Sequence, residues 1–134
     1  VSQFQEQIEQ ELTQIQELVA QAERLLNLAN KTEDPDYLTG LVSGLALHLH
    51  GFYTGVERIL YLIAREIDGN VPTGSDWHKQ LLNQMLVEIP TVRASVLSEK
   101  TYQELNEFRG FRHVVRSLYA YKLDVISSSD NYLK

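Results

Sequence analysis

Apolar residues recur at alternating steps of four and three near the start of the chain: Ile8, Leu12, Ile15, Val19, Ala22, Leu26 and Ala29. That spacing places side chains along one side of an α-helix and predicts a long helix over 1–31 with a seam for a neighbour. Ser2 is placed to cap its start, and Asn30-Lys31-Thr32 ends the run. Asp34-Pro35 has the form of a cap followed by proline at the first helical position. A second helix is therefore expected over 35–67, stopped by Asp68-Gly69-Asn70. Its apolar residues, from Leu38 to Ile63, cover much of its circumference, which makes it the central helix. Gly40, Gly44, Gly51 and Gly55 lie along it. Each costs about 1 kcal/mol in a helix relative to alanine, and close approach of another helix is the expected compensation.

The stretch DGNVPTGS leads to a third helix over 75–89, with Ser75 as its cap and Pro90 closing it. A fourth runs over 98–121, where Ser98 and Thr101 (the latter with Glu104 three residues on) offer alternative caps. A polar tail, 122–134, follows. Strand-like alternation is absent, as are repeats and low-complexity segments. The expected fold class is all-α, a bundle of four to five helices forming a single domain over 1–134.

Charge changes this picture in one respect. Residues 1–36 carry eight acids against Arg24 and Lys31, which accounts for the whole net charge of −6. Residues 37–134 are balanced, so the acidic total does not argue against an anion-binding surface later in the chain. The sequence has no cysteine, which excludes disulfides and thiolate metal sites and fits a reducing compartment. With no membrane-length apolar run and no signal-peptide pattern at the N-terminus, a cytoplasmic location is expected and no membrane association.

The chemistry concentrates in residues 109–119, RGFRHVVRSLY. At about 100° per residue, Arg109, Arg112 and Arg116 fall within an arc of about 60°, with His113 and Ser117 beside them. Phe108, Phe111, Val114, Val115, Leu118 and Tyr121 take the opposite side. Like charges three and four residues apart repel mildly. Two readings follow: a solvated face balanced by Glu104 and Glu107, or a phosphate-binding stripe, since guanidinium groups pair bidentately with phosphate oxygens.

Other candidates are weaker. His48 and His50 point about 200° apart on a helix and do not chelate one metal; both are expected to be packed or capped within the bundle. Trp77-His78 begins a helix, where the indole should anchor the preceding loop onto the core. Glu57-Arg58 is placed to reach toward an arginine of the fourth helix. Carboxylate pairs such as Glu6 and Glu9 lie on an exposed face. No glycine-rich phosphate loop or nucleophile elbow occurs, and neither a cofactor nor a metal is expected.

Two segments, LALHLHGFYTGVERILYLIAREIDGNVPTGSDWHKQLLNQM (45–85) and ELNEFRGFRHVVRSLYAYKLD (104–124), carry a family resemblance. The combination FYTGVER, WHKQLL and FRHVVR at these separations resembles the HepT-like branch of the HEPN superfamily, over nearly the whole chain. The resemblance implies a helical-bundle homodimer whose paired motifs face a shared RNA-binding cleft. It further implies a metal-independent ribonuclease toxin partnered by an MNT-type nucleotidyltransferase antitoxin.

In that branch the motif runs arginine, four residues, histidine, one residue, tyrosine, and the antitoxin attaches AMP to the tyrosine. Arg112 matches the arginine and Tyr119 the modified tyrosine, whereas the histidine position holds Ser117. Arg109, Arg112, His113 and Arg116 are the implied RNA-binding residues, and Arg112, His113 and Ser117 occupy the catalytic positions. A serine hydroxyl does not titrate near neutral pH as imidazole does, and acid–base help is worth about 10²–10⁴-fold in rate. His113, one turn before Ser117, is the nearest imidazole. The alternatives are thus a ribonuclease relying on His113, a cleavage-silent dimer that binds RNA or its nucleotidyltransferase, and a dimer whose basic stripe meets an acidic surface.

Overall fold

The computed structural model describes residues 2–110. Four helices make up its regular structure. Helix α1 spans Gln3–Lys31, and Ser2 caps it by accepting the Gln5 amide at 3.1 Å. Helix α2 spans Pro35–Ile63, with Asp34 accepting from the amides of Asp36 and Tyr37. The chain then widens into a π-helical turn, Ala64–Asp68, which ends at Gly69 in the left-handed region with φ of 70°. The second helical run therefore closes at Asp68, one residue past the expected end of 35–67 and with a different final turn.

Helix α3 spans Trp77–Leu86 and is shorter than the expected 75–89 at both ends. Its cap is Asp76, not Ser75, and the Asp76 carboxylate accepts the Gln80 side-chain amide at 2.7 Å. At the other end, Val87 is already extended. Proline disfavours the α conformation in the residue before it, Ile89. The Arg93 guanidinium also takes over terminal carbonyls of α3, with Nη2 donating to Gln84 at 3.1 Å and Nη1 to Val87 at 2.8 Å. A tight turn joins Ile89 to Arg93 and passes through Thr91 at φ of 65°. Residues 99–110 form α4, which Ser98 caps by accepting the Thr101 amide at 3.1 Å. The expected helical stretch 111–121 and the tail 122–134 lie outside the described residues.

Helices α1 and α2 run antiparallel, and three of the four expected glycines explain how closely. A β-carbon at Gly55 would lie 2.9 Å from Ile15 Cγ1, one at Gly51 would lie 3.3 Å from Leu18 Cδ1, and one at Gly44 would lie 3.5 Å from Leu25 Cδ1. Gly40 meets nothing within 4 Å. These contacts rotate α1 away from its expected seam. Ile15 and Ala22 are buried, while Leu12, Val19 and Leu26 are exposed and Leu18 and Leu25 turn inward in their place. Both seams share Ile15 and Ala22; leucines that can lie across glycine backbone decide between them.

The opposite face of α2 carries the main core. Tyr53, Leu60 and Ala64 pack with Leu81, Leu82 and Met85 of α3 and with Leu97 and Leu105. Phe108 stacks on Tyr53 with centroids 5.6 Å apart and meets the Phe52 ring edge-on at 5.9 Å, which fixes α4 against the middle of α2. Asp68, in the π-helical turn, accepts from Arg93 Nε at 2.6 Å, Arg93 Nη2 at 2.7 Å and Gln84 Nε2 at 2.8 Å. The Arg93 guanidinium holds the Asp68 carboxyl below the usual carboxylate range despite burial, with Gln84 adding to the effect. The Asp68 hydrogen bond likewise raises Arg93.

Candidate functional site

The basic segment begins where the described residues end. Arg109 is half-buried on α4, and its Nε and Nη2 donate to Asn106 Oδ1 at 3.4 and 3.3 Å. It follows Phe108, whose seat on Phe52 and Tyr53 ties the approach to this segment to the core. Arg112, His113, Arg116, Ser117 and Tyr119 lie outside the described residues.

The other singled-out residues have clear positions. The ring of His48 lies between the Gly44 carbonyl, 2.7 Å from Nδ1, and the Gln21 side-chain oxygen, 2.7 Å from Nε2. It is a packing residue between α2 and α1, as expected. His50 is half-buried, and Glu6 and Glu9 are exposed. Trp77 packs against the core cluster, as the sequence led us to expect. Arg58 turns to α1, where its Nη1 lies 3.3 Å from both carboxylate oxygens of Glu11.

Glu57 makes the contact that sequence reasoning missed. It sits on the core face of α2 between Tyr53 and Leu60 and is only 7 % exposed. Its Oε2 accepts a hydrogen bond from His78 Nδ1 on the first turn of α3. A carboxylate oxygen of an ionised side chain only accepts, so Nδ1 carries a proton in this pair and Nε2 is turned away from the carboxylate. The Trp77 indole stacks on the same imidazole with centroids 3.6 Å apart.

His78 and Glu57 form part of the wall of a cleft of about 570 Å³ at the junction of α1, α2 and α3. Gln7, Gln10 and Glu11 line it from α1, Thr54, Arg58, Tyr61 and Leu62 from α2, and Trp77 from α3. Twenty-one positions separate Glu57 from His78. The one signal in the sequence was a carboxylate interrupting an otherwise apolar helical face. Among the described residues no three His, Asp or Glu side chains converge as a metal site would require.

The model of a family described as HepT-like protein matches residues 44–132. The chain belongs to the HepT-like family. The match spans most of α2, all of α3 and α4, and the basic segment; α1 and the first turns of α2 lie before it. Comparisons of this HepT-like chain with curated proteins and with solved structures find no match. Among its described residues no helix is long and apolar enough to cross a membrane.

Proposed function

We propose that this HepT-like chain is the RNA-binding member of a toxin–antitoxin pair, acting as a homodimer beside an MNT-type nucleotidyltransferase. The observation that carries this reading is the family match over 44–132, which includes the arginine-rich segment RGFRHVVRSLY. In this reading Arg109, Arg112, His113 and Arg116 bind the RNA, the arginines through backbone phosphates. Tyr119 is the residue that receives AMP from the partner, which adds negative charge next to the arginines and opposes their grip on RNA.

Metal-independent cleavage requires a group that takes the 2′-hydroxyl proton or protonates the leaving oxygen. His113 holds that role in the ribonuclease reading. Ser117 in the histidine position favours a second reading, a dimer that binds RNA without cutting it.

One assay separates them: incubation of the purified chain with RNA in EDTA, alongside Arg112→Ala and His113→Ala. Cleavage that His113→Ala abolishes establishes the ribonuclease. No cleavage anywhere between about pH 5 and 9, the range over which an imidazole changes protonation, leaves the binding reading. That reading then requires salt-sensitive RNA binding that Arg112→Ala/Arg116→Ala removes. Incubation with the nucleotidyltransferase and ATP should add mass in AMP steps, and Tyr119→Phe should abolish it. Sedimentation equilibrium tests the homodimer; a monomer at all concentrations would refute it.

A further inference from the structure

Glu57 stands in a row of apolar side chains, and burying a carboxylate there is unfavourable unless it is charge-bonded. His78 supplies one such bond, and well-packed apolar residues often serve folding as well as a buried charged pair. What the pair adds is an imidazole of fixed orientation in the wall of the cleft. The His78 side chain keeps 34 % of its surface exposed, and its Nε2 has no hydrogen-bond partner among the described residues.

The remaining lining narrows the chemistry of an occupant. Glu11 is paired with Arg58 and Glu57 with His78, so among the described residues the cleft holds no unpaired cationic side chain to attract phosphate. Its surface is mainly apolar, with Tyr61, Leu62 and Trp77 contributing, and Gln7 and Gln10 bring amides that both donate and accept. These features suit a flat, uncharged ring with N–H and carbonyl groups on its edge. About 570 Å³ lies within the range of small-molecule pockets.

We propose that this cleft binds a nucleobase, carried by a free nucleoside or by an unstacked residue of an RNA strand. A polar edge atom of the base hydrogen-bonds with His78 Nε2, the ring lies against Tyr61 and Trp77, and the Gln7 and Gln10 amides meet its remaining polar edge. Glu57 acts through His78 as a positioning residue.

Trp77 is the sole tryptophan of the chain, so its emission reports directly on occupancy. The full-length protein is titrated with adenosine, guanosine, cytidine and uridine, and separately with a single-stranded RNA. We expect a saturable change in Trp77 emission with a nucleoside or with the strand. His78→Ala should weaken it about tenfold, the scale of one lost hydrogen bond, with the far-UV circular dichroism of the free protein unchanged. Gln10→Ala, on the exposed rim of α1, should weaken it by a smaller factor and serves if His78→Ala does not fold.

Saturation by a nucleoside identifies a free ligand; saturation by the strand alone identifies a base within RNA. Nucleoside binding that survives Arg112→Ala/Arg116→Ala separates this site from the basic segment. Loss of that binding in the double variant, with its fold intact, would overturn the assignment to the cleft. No saturable change with any nucleoside or with the strand would overturn it too, as would binding undiminished in both His78→Ala and Gln10→Ala.

Discussion

Arg93 serves two partners at once. It neutralises Asp68 at the end of the α2 run and takes carbonyls that α3 leaves without an intrahelical donor. The side chains of Asp68 and Arg93 are 2 % and 9 % exposed, so neither charge has water as an alternative. Asp68→Asn should destabilise the chain by about 3–5 kcal/mol, because it leaves a buried guanidinium without its carboxylate; urea unfolding at pH 7 measures it. The pH dependence has a definite sign. The folded pKa of Asp68 lies below its unfolded value, so the stabilisation is complete above the ordinary carboxylate pKa of about 4 and is lost as pH falls through the lower folded value. The gap between wild type and Asp68→Asn should therefore narrow in acid and stay constant from about pH 5 to 8. A gap that widened in acid would contradict the pairing.

Among the elements, the contact of α1 with α2 turns on glycines that differ in their surroundings. Gly40→Ala meets open space and should stabilise α2 by up to about 1 kcal/mol through helix propensity. Gly55→Ala gains the same propensity but drives a methyl against Ile15, and overpacking of about 1–3 kcal/mol outweighs it. Opposite shifts in thermal midpoint are the expected result; equal shifts would mean that α1 does not press on Gly55. The starts of α1, α2 and α4 were legible in the sequence because their determinants are local: Ser2, Asp34 and Ser98 each bind amides within three residues. The limits of α3 were not, because a guanidinium from a later turn fixes its end. The apolar steps of α1 pointed to the seam through Leu12, Val19 and Leu26, and the glycines of its neighbour favour Leu18 and Leu25 instead.

At the scale of the whole molecule, two regions of different character share one scaffold. The arginine-rich segment was visible in sequence because its residues are contiguous. The cleft was not, since Gln10, Glu57 and His78 come from three helices and no spacing rule links them. The two predict different salt responses. RNA binding through the arginines should weaken steeply with salt, and each phosphate contact removed should reduce the slope by about one; Arg112→Ala/Arg116→Ala measured from low to high salt tests this. Nucleoside binding in the cleft should be nearly independent of salt, because its charged side chains among the described residues are already paired. The Asp68–Arg93 link also has a consequence for synthesis. Because Asp68 leaves the ribosome 25 residues before Arg93, the end of α2 waits for its cation while the α1–α2 hairpin is already complete. A nascent chain stopped between those two points would carry a carboxylate prepared for a partner still inside the exit tunnel.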